Sequence, residues 1–462
     1  MKTLQKIFKI RILEDSVYFK ITFLLWALIH SLALGQYVTS YASPIIILWG
    51  GLILIKLLLI DRVDFSRKYF ILIFSFLLAY LVTIVINREL NLLGNIKTLI
   101  WQSIMIIGLF INDYRKDKKQ ILMDIDRIGR AVIIATLIIS AISVLQFFLD
   151  ISYIVTRVDG RSIPQGYYAA RLWGIYVDPN QSCNVAIISL ALSVILLLRK
   201  TLLNKVLLIS NILIQYSLIV LSGSRGGSLG LIILLIGLFY LVFDRKFKDK
   251  NNAINSKKLI SLILSIILSV ALVATFRITR KTLALIPEIG YSISESIINK
   301  QNDKDENKSN NITIDRADVE SSNGRIELWT DGLKLSKKFP IFGVGDRNIM
   351  AIAQKLMPGS SITKQYVHNG YLHMLLSGGA VSLLIMMFLL GDIAISALRN
   401  IVNNKKHDND YYVYTILTSM IGAILLTTFF ITEVFFQNSF TAAILWIFVG
   451  YIVYLNKKEK FI

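Results

Sequence analysis

The sequence predicts an all-α polytopic membrane protein with about twelve transmembrane helices. Three observations lead there. The chain has 462 residues, 55% of them hydrophobic and only 17% charged, whereas an ordinary soluble domain carries about 25% charged residues. Apolar runs recur along its whole length, each of about twenty residues and so able to cross about 30 Å of hydrocarbon. Lysines and arginines collect in every second loop, which gives the chain a sidedness. That sidedness accounts for most of the net charge of +20, so no nucleic-acid partner is expected. The single cysteine, Cys183, excludes an internal disulfide framework and any cysteine-rich metal site.

The first predicted span, near 20–38, follows a lysine-rich start (Lys2, Lys6, Lys9, Arg11) without a small-residue cleavage site, and reads as an uncleaved anchor. Spans near 43–60 and 69–86 flank the basic loop DRVDFSRK, and Lys56 lies about a turn from that end, where it can snorkel. Spans near 93–111 and 130–149 flank DYRKDKK, those near 181–198 and 205–221 flank RKTLLNK, and those near 226–243 and 258–276 flank DRKFKDK. Spans near 370–390 and 411–431 flank LRNIVNNKK, and the last, near 437–455, runs into NKKEK. The alternate short loops, such as YVTSYAS and TEVFFQ, almost lack positive charge. An even span count with both termini in the cytoplasm follows.

Three regions result. Residues 1–276 hold nine spans with an outer loop at 150–180, residues 277–369 form a large outer loop, and residues 370–462 hold the last three spans. A connection as long as 277–369 is expected to be functional or partly disordered. Its middle, NKQNDKDENKSNNITIDRADVESSN, is polar and reads as mobile. Its second half, GRIELWTDGLKLSKKFPIFGVG, places apolar residues at Ile326, Trp329, Leu333 and Leu335 and ends at Phe339-Pro340. This predicts a short amphipathic helix stopped by proline and lying on the outer membrane face, with Lys334, Lys337 and Lys338 against the membrane surface.

Several charges stand at the outer lip. Arg225 interrupts two apolar runs in LSGSRGGSLG, with Ser222, Ser224 and Ser228 as hydroxyl donors. Near an interface its insertion cost falls well below the 2.5–3.5 kcal/mol or so of the bilayer centre. Gly223, Gly226 and Gly227 permit a tight exposed backbone, so the N–H groups of the next helix and the guanidinium can cradle a diphosphate together. The bland alternative is a snorkelling arginine at a helix end. In RLWGIYVDPNQ, Asp178 and Pro179 read as an N-cap and first helical residue, with Asn180 beside them. Capping leaves Arg171 unexplained. With Arg157 and Arg161 it makes this loop basic, against the topological preference, so an anionic ligand is the better explanation. Arg325 opens the amphipathic segment, where the alternative is a solvated loop charge. His368, beside Asn369 and Gly370 in YVHNGYLHMLLSGG, sits at the water boundary, where a neutral imidazole can accept a proton. His373 reads as structural, and His30 and His407 as incidental.

These segments together resemble the bacterial O-antigen polymerase/O-antigen ligase family of integral membrane glycosyltransferases. SGSRGG is similar to that family's helix-start signature, and RLWGIYVDPNQSCNVAI to its arginine, glycine and Pro-Asn segment. GRIELWTDGLKLSKKFPIFGVGDRN resembles its arginine–tryptophan run ending in Pro-x-x-Gly-x-Gly, and His368 stands eleven positions before Gly379 as in its histidine motif. The resemblance implies a GT-C-like fold, no cofactor and no metal. It also implies an undecaprenyl-diphosphate-linked oligosaccharide donor, a glycan acceptor, and an active site on the outer face of the bacterial cytoplasmic (inner) membrane. By resemblance Arg171, Arg225 and Arg325 bind the diphosphate and His368 is the general base, with Ser224, Asn369 and Glu433 in support. For Glu433 the roles are orienting His368 or touching sugar, and the alternative is a helix-end charge. Membrane lipids, a chain-length regulator and a flippase are the implied partners. The isoleucine-, lysine- and asparagine-rich composition favours a capsular or O-antigen polymerase. The alternatives are a ligase acting on lipid A core or another acceptor, and a flippase or transporter for the same lipid-linked glycan.

Overall fold

The computed structural model describes residues 14–61, 63, 67–247, 254–298, 324–404 and 408–456. The basic amino-terminal residues, the polar stretch 299–323, His407 and most of NKKEK lie outside the described residues. The helices are α1 (Ser16–His30), α2 (Gly35–Ile55, running into a π-turn Lys56–Ile60), α3 (Lys68–Ile86), α4 (Leu92–Leu109) and α5 (Lys118–Phe148). Three strands follow, β1 (Ser152–Thr156), β2 (Ser162–Tyr168) and β3 (Arg171–Gly174). Then come α6 (Pro179–Arg199), α7 (Lys205–Ser222), α8 (Arg225–Lys246), α9 (Ile254–Ala274) and α10 (Phe276–Ile298). The chain closes with α11 (Arg325–Lys338), α12 (Ile349–Leu356), α13 (Gly370–Asn403), α14 (Asn409–Thr427) and α15 (Phe440–Leu455).

This is an all-α polytopic membrane protein. Among the described residues ten helices are long and apolar enough to cross a membrane, and two shorter apolar helices, α1 and α15, accompany them. The predicted spans overlap these helices, the first, near 20–38, running from α1 across the turn into α2. The first part of the predicted 277–369 loop is helix, because α10 follows α9 almost without a break. Polar side chains join the buried helices: Asn211 donates to Ser189 and Ser193 at 2.9 and 2.8 Å, and Ser140 donates to Gln215 at 2.9 Å. Such interhelical bonds supply the adhesion that hydrophobic burial does not supply between helices in lipid.

The two ends of the bundle differ. At the basic end, Lys20, Lys116 and Arg127 meet Asp15, Asp113 and Asp124, with Lys20 and Asp113 fully buried. Lys56 pairs there with Asp61 at 4.0 Å, in keeping with its expected reach toward that end. At the other end, the 150–180 segment forms a three-stranded antiparallel sheet in the order β1-β2-β3, which the reading of that loop did not anticipate. It is fastened to the α1–α2 turn by Ala33 N to Ile175 O and Val177 N to Ser31 O, both 3.0 Å.

The same end contains a joint that explains two sequence motifs at once. α13 is unwound at Gly379, whose φ is +69°. The segment Pro340–Gly345 pairs with it: Val344 N bonds Leu376 O at 2.8 Å, Gly345 N bonds Ser377 O at 2.9 Å and Ala380 N bonds Pro340 O at 2.8 Å. A Cβ on Gly343 would stand 2.4 Å from Leu376 O, and one on Gly379 2.1 Å from Ile341 O. The Pro-x-x-Gly-x-Gly turn and the glycine eleven residues after His368 are therefore two halves of one close backbone contact.

Candidate active site

Arg171 opens β3 and is held by two bonds, Nε to Ser222 O at 2.9 Å and Nη2 to Asn180 Oδ1 at 2.8 Å. Ser222 ends α7, so the guanidinium satisfies a carbonyl that the helix itself leaves over. Asn180 Oδ1 also accepts from Ser224 Oγ at 2.9 Å. Ser224 is the N-cap of α8, accepting Gly227 N–H at 3.0 Å. Asp178 caps α6 as predicted, accepting Asn180 N–H at 2.6 Å with Pro179 at the first helical position. The starts of α6 and α8, the end of α7 and the sheet thus meet at one point.

Arg225 is the first residue of α8 and is exposed. The glycines around it do not behave alike. Gly223 has φ +60° and ends α7, which is the left-handed cap that glycine adopts without strain. Gly226 and Gly227 are buried, and Cβ atoms there would stand 2.8 Å from Phe430 Cβ and 2.2 Å from Cys183 Sγ. Those two serve helix packing rather than an exposed backbone, a correction to the expected open cradle.

Arg280, on α10, is a residue the sequence reading passed over. Its Nε and Nη2 bond Val220 O at 3.2 and 2.8 Å. A Cβ on Gly223 would lie 3.3 Å from Arg280 Nη2 and 3.5 Å from Arg171 Cγ, so the two arginines flank that glycine. The only signal for it was the basic cluster in FRITRKT, which the loop assignment hid. Arg157 and Arg161 turn out otherwise than expected. They sit at the β1–β2 turn, the far end of β2 from Arg171, and pair with Asp159 at 3.7 and 2.7 Å. That one acid offsets half of their charge.

His368 is half-buried in the left-handed region with φ +47°, just before Asn369. Asn369 caps α13, its Oδ1 accepting Tyr371 and Leu372 N–H at 3.0 Å each. The loop is pinned by Gly370 N to Thr428 O at 2.7 Å and by Trp329 Nε1 to Val367 O at 3.0 Å. Burial holds the imidazole below the usual histidine value, Asp178 opposes that shift, and Arg325 adds to it. Arg325 is half-buried at the start of α11. His368 thus stands within electrostatic reach of Asp178 and Arg325, and Asp178 caps the helix whose Asn180 holds Arg171 and Ser224.

Glu433 lies beneath this cluster, buried, with Oε2 accepting Asn184 Nδ2 at 3.2 Å and Thr441 Oγ1 at 3.1 Å. Burial pushes its carboxyl up to about 8, Asp178 adds to the rise, and Asn184 and Thr441 act against it. It is an internal group rather than a helix-end charge at the surface. His373 is structural as expected: it is fully buried, with Nε2 2.9 Å from Asp346 Oδ1.

α11 exists where predicted and ends at Phe339, but its buried face differs. Leu328, Gly332 and Leu335 are buried, and a Cβ on Gly332 would meet Leu372 and Val367 at 2.9 and 3.1 Å. Ile326 and Leu333, expected on the apolar face, are exposed. The helix packs on the His368 loop and α13 through Leu328, Gly332 and Leu335, which leaves Ile326 and Leu333 facing outward. Among the described residues no group of three or more His, Cys, Asp or Glu is placed to hold a metal ion.

The fold and this end of the bundle define a multi-pass membrane protein with several arginines, a histidine and a buried acid gathered at one end. A family model described as O-antigen ligase matches residues 210–387, so this part of the chain is similar to that family. The matched stretch carries Arg225, Arg280, Arg325, His368 and Gly379, while Arg171, Asp178 and Glu433 fall on either side of it. No curated protein matches the chain.

Proposed function

We propose that this protein is a polysaccharide polymerase of the bacterial cytoplasmic (inner) membrane, acting on its outer face with both termini in the cytoplasm. It transfers a glycan from an undecaprenyl-diphosphate-linked donor to a sugar hydroxyl of a second lipid-linked repeat unit. The observation that carries this reading is the meeting of Arg171, Asn180 and Ser224 at the α7–α8 junction, with Asp178 and Arg325 both acting electrostatically on His368. His368 takes the proton of the acceptor hydroxyl, whose oxygen forms the new bond to the anomeric carbon. The bond from that carbon to the diphosphate oxygen breaks on the opposite side, giving inversion and releasing undecaprenyl diphosphate. Arg171, Arg225, Arg325 and Arg280 offset the charge that builds on the leaving diphosphate. A positioned base contributes about 10²–10⁴-fold, and no metal takes part. Glu433, buried below Asp178, holds the floor of the site. Membrane lipids surround it, and a flippase and a chain-length regulator are the partners this role calls for.

Ligase activity is the second reading, favoured by the description of the matching family model. One experiment separates the two. Purified protein is given a labelled undecaprenyl-diphosphate oligosaccharide with a chelator and no other acceptor. A ladder of products is expected, and His368→Ala is expected to abolish it while donor binding survives. Transfer only after lipid A core or another acceptor is added would assign a ligase. An undiminished ladder from His368→Ala would remove the histidine from the mechanism.

A further inference from the structure

The hairpin that delivers Arg171 also delivers a tyrosine. In the β2–β3 pairing Tyr168 lies directly opposite Arg171, and Tyr167 opposite Leu172. Directly opposed residues of an antiparallel pair project from the same face with Cβ atoms about 5 Å apart. Leu172 and Tyr167 turn inward: Leu172 is fully buried and Tyr167 packs edge-on against Phe147, ring centres 4.9 Å apart. Tyr168 stays 52% exposed on the face of the guanidinium.

The connecting turn is unusual. Ala169 and Ala170 both have positive φ, +49° and +56°, as a two-residue turn of this handedness demands. Asn-Gly or Gly-Gly would adopt that shape with less strain. The Ala170 methyl is buried, which accounts for that residue, whereas Ala169 is exposed. A hairpin closed at some conformational cost sets Tyr168 and Arg171 side by side, and Arg171 is fixed in turn by Ser222 and Asn180.

We propose that Tyr168 is a specificity-determining residue whose ring stacks on the sugar attached directly to the donor diphosphate. A sugar ring offers a face of C–H groups, and an exposed tyrosine offers a rigid apolar face with a polar tip. With the diphosphate at Arg171, the first sugar and the first isoprene unit, the two groups bonded to it, are the parts of the donor within a ring's reach, and of these the sugar also suits the polar tip. The proposal rests on the reading of Arg171 as a diphosphate ligand.

The test uses full-length protein in detergent micelles and two probes: a polyprenyl diphosphate bearing a disaccharide, and the same lipid diphosphate without sugar. Tyr168→Leu keeps an apolar side chain without a ring, and Tyr168→Phe keeps the ring. Tyr168→Leu is expected to weaken binding of the glycan-bearing lipid about 10-fold and to leave the sugarless lipid unchanged. Tyr168→Phe should stay within about 2-fold of the parent for both probes. Equal loss for both probes in Tyr168→Leu overturns the proposal and points to an anchoring role at the membrane interface. No loss for either probe overturns it as well. Arg171→Ala separates the two inferences: it should weaken both probes, and failure to do so would sink the diphosphate reading whatever Tyr168 does.

Discussion

At the residue scale, His368 is tuned by two neighbours of opposite charge. On the proposed reading it is a general base that works in the neutral form, so kcat/KM should rise with pH through its pKa and level off above it. Burial lowers that pKa, which places the acid limb below the ordinary histidine value of about 6.5. Arg325→Gln removes a group that lowers it, and the limb should move to higher pH. Asp178→Asn removes a group that raises it, and the limb should move to lower pH. Asparagine caps a helix about as well as aspartate, so the second variant keeps the start of α6 while losing the charge. Transfer rates across the acid range with each purified variant check this; a limb that stays put in both would mean that another group titrates.

At the element scale, glycines in one helix play different parts. Gly379→Ala adds a methyl 2.1 Å from Ile341 O at a position with φ +69°. Strain and clash together should cost about 3 kcal/mol or more, read as a lower unfolding temperature and faster proteolysis between α11 and α13. Gly391, in the same helix, has open space around it, so Gly391→Ala should be neutral or stabilise by up to about 1 kcal/mol. How much of this was legible in the sequence depends on the kind of order involved. Spans, caps at Asp178 and the stop at Phe339-Pro340 are local, and hydropathy and turn chemistry report them. The buried side of α11 is set by the loop folded over it, which local periodicity does not contain. The strands at 150–180 escaped for a similar reason, since their register is fixed by contacts with α5 and the α1–α2 turn. Arg225 was legible as a charge between two apolar runs, Arg171 as a positive charge on the outer side, Arg325 by its place at the start of the amphipathic segment and His368 by its place at the water boundary. Arg280 was not, because its cluster lay where a loop was expected, and the pairing of Arg157 and Arg161 with Asp159 depends on a turn that the loop reading did not contain.

Across the whole molecule, charge is sorted between two ends. The network at the basic end is balanced, three carboxylates against three cations, and Lys20 and Asp113 are wholly buried in it. Removing one member of a buried pair leaves its partner uncompensated, at a cost of about 3–5 kcal/mol. Lys20→Met should therefore lower the unfolding temperature in detergent sharply, and Lys20→Met with Asp113→Leu should recover much of the loss. Donor binding at permissive temperature should be untouched in both, because the arginine cluster lies at the opposite end. A loss of binding in the still-folded double variant would show that the two ends communicate.

The joint between Pro340–Gly345 and the unwound turn of α13 has one more consequence. Gly345 is tied to Ser377, and His368 stands just ahead of the start of the same helix. The chain between them leaves α13 and returns to it, so it forms a closed ring with a clasp. In such a ring the clasp and the buried residues Ile352, Ile362 and Val367 together hold the histidine at a fixed height above the helix.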